Sequence, residues 1–187
     1  TAADKAVSIL PYLFPLIDGL SFARFWIEQN QENPLAIAAT VAYGIYLSIP
    51  LGGFLSFLAL SFGSENPRLN KLVRFNMLQA LFLDIALFAP TLLVAISSGL
   101  LNQVAGVQAP AQLVELVNDG VFFTLLATIG YSSVSSLLGE IPNKVPLISQ
   151  LAENRLIIPE MFDEGGKFSP FDENGNLKKR NTKSDDK

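Results

Sequence analysis

The sequence predicts an all-α integral membrane protein with four transmembrane helices, and three observations carry that prediction. Strongly apolar stretches at about 10–27, 35–62, 75–101 and 119–138 fill the first three quarters of the chain. Each comes close to, or exceeds, the roughly eighteen residues a helix needs to cross about 30 Å of hydrocarbon. Half of all residues are hydrophobic and only 16% are charged, with a mean hydropathy of +0.37; a soluble domain carries about a quarter charged residues. Charge is also segregated. Residues 1–141 hold five basic and nine acidic residues, whereas 142–187 hold eight of each. The expected organisation is therefore a four-helix membrane domain over 1–141, followed by a proline-punctuated, charged and partly flexible tail over 142–187.

The first stretch reads LPYLFPLIDGLSFARFWI. Pro11 and Pro15 stand near its start, where missing amide donors do least harm to a helix. Asp18-Gly19 interrupts the middle, and Arg24 can snorkel its charged head toward the interface beside Phe25 and Trp26. This is the weakest span, with a re-entrant hairpin as its alternative; it lacks the pattern of a secretion signal. The second stretch is long enough, at 28 residues, to demand a tilt or a bend. Pro50 with Gly52-Gly53 supplies the bend point. Small residues from Ala38 to Ser56 recur every three or four positions, which lets helix backbones approach closely.

The third stretch carries Asn76, Gln79 and Asp84 ahead of Pro90, so a kink is expected there too. Asn76 and Gln79 share a helical face, while Asp84 is offset from both. After an acidic connection, in which 110–117 reads as a short interfacial helix, the fourth stretch is barely long enough unless Asn118-Asp119 caps it. Thr128, Ser132 and Ser136 align every four residues along it, a stripe suited to close packing. Beyond Gly139 prolines recur every few residues, leaving one or two helical turns over 147–156 and then a charged tail poor in apolar residues.

Lysines and arginines in short loops orient a membrane protein. Lys5, Lys144 and the Arg68, Lys71, Arg74 loop all agree, placing both termini on the enclosed side of the membrane. Those three loop cations also suit acidic partners or lipid phosphates.

Several function classes are excluded. The chain has no cysteine and no histidine, so disulfides, thiolate chemistry and the usual zinc and haem ligand sets are absent, and no cofactor is expected. No Gly-rich phosphate loop or nucleophile elbow occurs, and Asp18-Gly19 reverses the order an intramembrane aspartyl protease needs; the chain does not read as an enzyme. Nucleic acid is no partner either, because basic residues concentrate only at Lys178-Lys179-Arg180.

The candidate functional groups are the polar residues at membrane depth. Asp18 and Asp84 are the sharpest, because a carboxylate in such a run ordinarily faces a partner, water or a transport path. With Arg24, Gln79 and Ser132 they form either a polar path for a substrate or a set of contacts holding helices together. Both readings stand on residues alone.

The motifs LPYLFPLIDGLSFARF at 10–25, VRFNMLQALFLDIAL at 73–87 and IPNKVPLIS at 141–149 resemble the twenty-kilodalton subunit family of the Tic translocon. That is the protein-import machinery of the chloroplast inner envelope, and the resemblance covers about 4–151. It implies four membrane helices with both termini on the stromal side, in agreement with the charge reading. It also implies a multi-pass subunit in a hetero-oligomeric complex with other translocon subunits and membrane lipids, lining part of the path of unfolded precursor polypeptides. A threonine start and a charged tail fit a processed plastid protein; the cyanobacterial plasma membrane is the alternative location. Two rival functions remain: a small-solute or ion carrier, and a non-conducting scaffold whose tail recruits partners.

Overall fold

The computed structural model describes residues 2–100 and 110–160, and among them every regular element is helical. The expected readings for 101–109 and for the tail from 161 onward lie outside the described residues. Three helices are long and apolar enough to cross a membrane, and a sharply bent pair, taken together, makes a fourth candidate.

The first span starts earlier than the apolar run implies. Helix α1 (Ala2–Ile9), a 3-10 turn at Leu10–Tyr12, α2 (Leu13–Gly19), a second 3-10 turn at Leu20–Ala23 and α3 (Arg24–Gln29) follow one another without a gap. Together they form a candidate span of 28 residues. Pro11 and Pro15 sit in the first turns of their elements, where an absent donor leaves no hydrogen bond broken. The re-entrant alternative for this segment is thereby replaced by a through-going helical rod with tighter turns.

It is the second stretch that breaks. Asn33 caps α4 (Pro34–Leu47), its side-chain oxygen accepting from the Leu35 amide at 2.9 Å. The chain then turns by 88° into α5 (Gly52–Glu65). Leu51 at the corner has φ 58°, the left-handed region that non-glycine residues rarely enter. Pro50 and Gly52-Gly53 mark the bend, as expected, but a right angle exceeds the kink anticipated. Each arm has 14 residues, about 21 Å at 1.5 Å per residue. Only Ala36 of α4 is buried; Leu35, Ile37, Val41, Ile45 and Leu47 are exposed.

The third span, α6 (Lys71–Leu100), is the central rod: α1, α2, α5 and α7 all lie against it, as does α8. Its helical assignment continues through Pro90. The fourth, α7 (Ala111–Leu138), reaches well beyond the predicted start. The segment 110–117 is its first two turns rather than a separate interfacial helix, and Asn118-Asp119 lies inside it rather than capping it. Asn118 instead donates back to the Val114 carbonyl at 2.7 Å. Past α7, the one or two turns expected over 147–156 form a longer helix, α8 (Ile148–Glu160), docked on α6.

Tight ties gather one end of the bundle. Gly139 (φ 91°) closes α7 in a left-handed cap, with Glu140 N donating to Ser135 O at 2.9 Å and Gly139 N to Ser136 O at 3.0 Å. Lys5 Nζ donates to the Leu138 carbonyl at 3.0 Å, placing a cation on the negative end of that helix. Arg74 Nε does the same for α5, donating to Ser64 O at 2.8 Å, and Arg155 pairs with Glu65 at 3.1 Å. At the opposite end, Gln29 donates to Glu115 at 2.6 Å. The elbow therefore runs from one end of the bundle to the other and counts as one crossing. Gly139→Ala is expected to lower stability by about 1–2 kcal/mol, since a side chain in that backbone region is strained and a Cβ would meet the Lys5 side chain. Thermal unfolding in detergent checks it; an unchanged midpoint would contradict the cap's contribution.

Candidate functional site

Helix α6 carries two polar layers, and they have opposite characters. Asn76 and Gln79, three residues apart, face the same way and are wholly buried, each 0% exposed. Five residues further along, a rotation of about 140° on a helix, Asp84 points elsewhere.

The first layer is sealed, and its polar atoms are paired within the chain except Asn76 Oδ1 and Ser132 Oγ. The Tyr12 hydroxyl donates to Gln79 Oε1 at 2.6 Å, and Gln79 Nε2 donates to Pro142 O and Ser149 Oγ, both at 3.1 Å. Ser149 Oγ donates to Pro142 O at 2.9 Å and accepts from the Val145 amide at 3.2 Å. Asn76 Nδ2 donates to Ser8 O at 2.8 Å and to Ser136 Oγ at 2.7 Å, while Ser136 donates to Ser132 O at 2.7 Å. One amide thus ties α6 to the first span and to the base of α8; the other ties α6 to α1 and α7. A buried polar group is tolerable only when so paired. Ser132 Oγ lies beside the Tyr12 phenol but makes no hydrogen bond of ordinary geometry. Gln79 and Ser132 accordingly sit inside the chain's own core as interhelical contacts, away from the cavity that receives Asp18 and Asp84.

The second layer is open. Asp84 and Asp18 come together across the first span and α6, and Asp18 also neighbours the Tyr46 phenol of α4. Both carboxylates line a cavity of ≈ 390 Å³ between the first span, α5 and α6, walled by Phe22, Phe54, Phe57 and Phe88. Asp84 is 6% exposed, and neither its Oδ1 nor the Tyr46 hydroxyl has a hydrogen-bond partner. Arg24 does not neutralise the pair: it is exposed, with its guanidinium 4.6 Å over the Phe25 ring. Among the loop cations, Arg68 and Lys71 are exposed, whereas Arg74 is half-buried on the Ser64 carbonyl.

Packing explains how the second layer is positioned. A Cβ at Gly19 would run into the Leu125 side chain of α7, so the absence of a side chain lets the two rods touch beside Asp18. Leu20, Phe22, Ala23 and Phe122 form a small core there. Tyr12, Leu60, Phe75, Leu78, Leu81 and Leu125 fill the larger one. The cavity lies outside these cores, on the flank of the bundle under the elbow. Tyr12, Ser8, Ser149 and Tyr46 are site partners the sequence reading did not single out, because each acts through a contact distant in sequence.

Comparison with known proteins adds the family context. A family model described as chloroplast import apparatus Tic20-like matches residues 4–152. The chain is similar to Protein TIC 20-v, chloroplastic, of Arabidopsis thaliana, with 31% identity over 83% of this chain and 72% of the relative. It is equally similar, at 31% over 83% of this chain and 73% of the relative, to Protein TIC 20-II, chloroplastic, of the same plant. A Tic20 family protein of the cyanobacterium Synechocystis sp. is 28% identical over 82% of this chain and 92% of its own length. No solved structure matches the chain.

Proposed function

Because the chain belongs to the chloroplast import apparatus Tic20-like family, we propose that it is a multi-pass subunit of the inner-envelope import translocon that lines part of the path taken by unfolded precursor proteins. The role is non-catalytic and is carried out with other translocon subunits, in contact with membrane lipid. The observation that supports this reading most is the contrast between the two polar layers. A precursor in transit needs water or hydrogen-bonding groups beside its backbone. The Asn76–Gln79 layer is wholly buried and, Asn76 Oδ1 and Ser132 Oγ apart, engaged within the chain, so it is closed to a passing polypeptide. The Asp18–Asp84 cavity combines membrane depth, carboxylates with an unpaired oxygen and access from outside the bundle. With the cores filled by large side chains, the path runs along the flank, between α5 and α6, and neighbouring subunits complete it.

The test is site-specific crosslinking to a precursor arrested in transit. Photoreactive side chains in place of Phe54 or Phe57 are expected to label the precursor at least tenfold more strongly than ones in place of Leu113 or Leu116, which are exposed on the far end of α7. Equal labelling from both sets would sink the flank path. Solute flux through the purified chain reconstituted alone, without precursor crosslinks, would favour a carrier instead.

A further inference from the structure

We propose that the cavity under the elbow is a receptor for a single cationic side chain, arginine by preference, presented by a polypeptide passing along this flank. The proposal deepens the path reading and rests on it for the source of the cation. Two carboxylates side by side at membrane depth are relieved of their repulsion by a proton on one of them or by a positive charge between them, and the second also satisfies the remaining lone pairs. Among the described residues none is placed to supply such a charge: Arg24 is stacked on Phe25 and Arg74 is spent on the end of α5. Asp84, nine-tenths buried, lines the cavity and has one oxygen without a hydrogen-bond partner, and the Tyr46 hydroxyl near the pair is also unpartnered. A cation carried in by a second polypeptide would fill this place.

The shape of the site selects among cations. A hard metal ion requires about six oxygen ligands; here two carboxylates are joined by the Ser21 and Thr91 hydroxyls, each already donating to a carbonyl of its own helix, and phenyl rings form much of the wall. Rings attract an organic cation through their faces, and an aliphatic stem packs against them while its charged head reaches a carboxylate. A guanidinium can span two carboxylates with its fixed fork of donors, which an ammonium cannot match. The cavity volume of ≈ 390 Å³ lies in the range of small-ligand pockets, about 300–1,000 Å³. Chloroplast transit peptides are rich in arginine and poor in acidic residues, so a passing precursor carries the matching group.

The experiment uses the full chain in lipid nanodiscs with a benzophenone side chain in place of Phe57, at the cavity wall. Two synthetic peptides of identical sequence are compared, one with arginines and one with citrulline, the uncharged isostere, at the same positions. The arginine peptide is expected to label about tenfold more strongly, and Asp84→Asn or, separately, Asp18→Asn is expected to reduce it to the citrulline level. Asp18 is only half-buried, so its variant serves if Asp84→Asn folds poorly. Equal labelling by the two peptides overturns the proposal, as does arginine-dependent labelling that survives both aspartate changes. Complete loss of labelling in millimolar potassium chloride assigns a metal-ion site and overturns it too. The two readings fail separately. An arrested precursor that labels from position 57 whatever its arginine content keeps the path and removes the cation receptor. Aspartate-dependent peptide labelling with no precursor label from the cavity keeps the receptor and removes the path.

Discussion

Gln79→Leu is expected to lower stability by about 3 kcal/mol and to loosen α8 from the bundle. The leucine fits the volume but leaves the Tyr12 hydroxyl, 2% exposed, with no acceptor at its 2.6 Å contact. A buried donor left unpaired costs about 1–3 kcal/mol, and breaking the amide's two further bonds adds to it. Those bonds, to Pro142 O and Ser149 Oγ, hold the base of α8. The readouts are thermal unfolding in detergent and the rate of proteolytic cleavage within 143–155, which should rise. Adding Tyr12→Phe removes the orphaned donor, so the double variant should be markedly more stable than the sum of the single effects predicts. Strict additivity, or a Gln79→Leu protein as stable as the parent, would contradict a saturated network.

Gly19→Ala is the second large effect, from overpacking rather than from lost hydrogen bonds. The new methyl would occupy the space of the Leu125 side chain, and inserting a methyl into a filled contact costs about 1–3 kcal/mol. Leu125 belongs to the main core and is 3% exposed, so it cannot swing into solvent or lipid without exposing that core. Leu125→Ala alone leaves a void at about 2–5 kcal/mol. The pair Gly19→Ala with Leu125→Ala should recover part of the loss, because each substitution makes room for the other. Thermal unfolding of all four proteins measures this, and no coupling between the sites would show that the rods do not meet there.

These two sites also show what can be read from the residues alone. Apolar runs located the membrane helices, since hydrophobic length is a local property. Pro50 with Gly52-Gly53 located the bend for the same reason. Its angle depends on Leu51 entering the left-handed region, and no local rule favours that for leucine. The early start of the first span was hidden because Ala2–Ile9 carries Asp4 and Lys5, which hydropathy scores against a membrane helix. Lys5 instead serves as a cap for α7, a partner more than a hundred residues away. The alignment of Asn76 with Gln79, and the offset of Asp84, followed from helical spacing alone. Which layer is dry and which open could not follow, because Ser8, Ser136, Pro142 and Ser149 reach α6 only through tertiary packing. Asp18 and Asp84 were each legible as costly; their meeting was not.

The elbow has a consequence for the surrounding lipid. With one arm upright and the other flat, the pair would reach only about 21 Å, short of the roughly 30 Å slab. Inclined symmetrically, each arm climbs about 15 Å and the two together match the slab. That pose sets Leu51, 73% exposed, at mid-depth, where the two leaflets meet. A thicker bilayer then has to thin locally or pull the arms straight, and straightening carries Phe54 and Phe57 away from the two aspartates. In such a pose the angle at Leu51 is expected to widen as the bilayer thickens, and the cavity beside it to change shape with it.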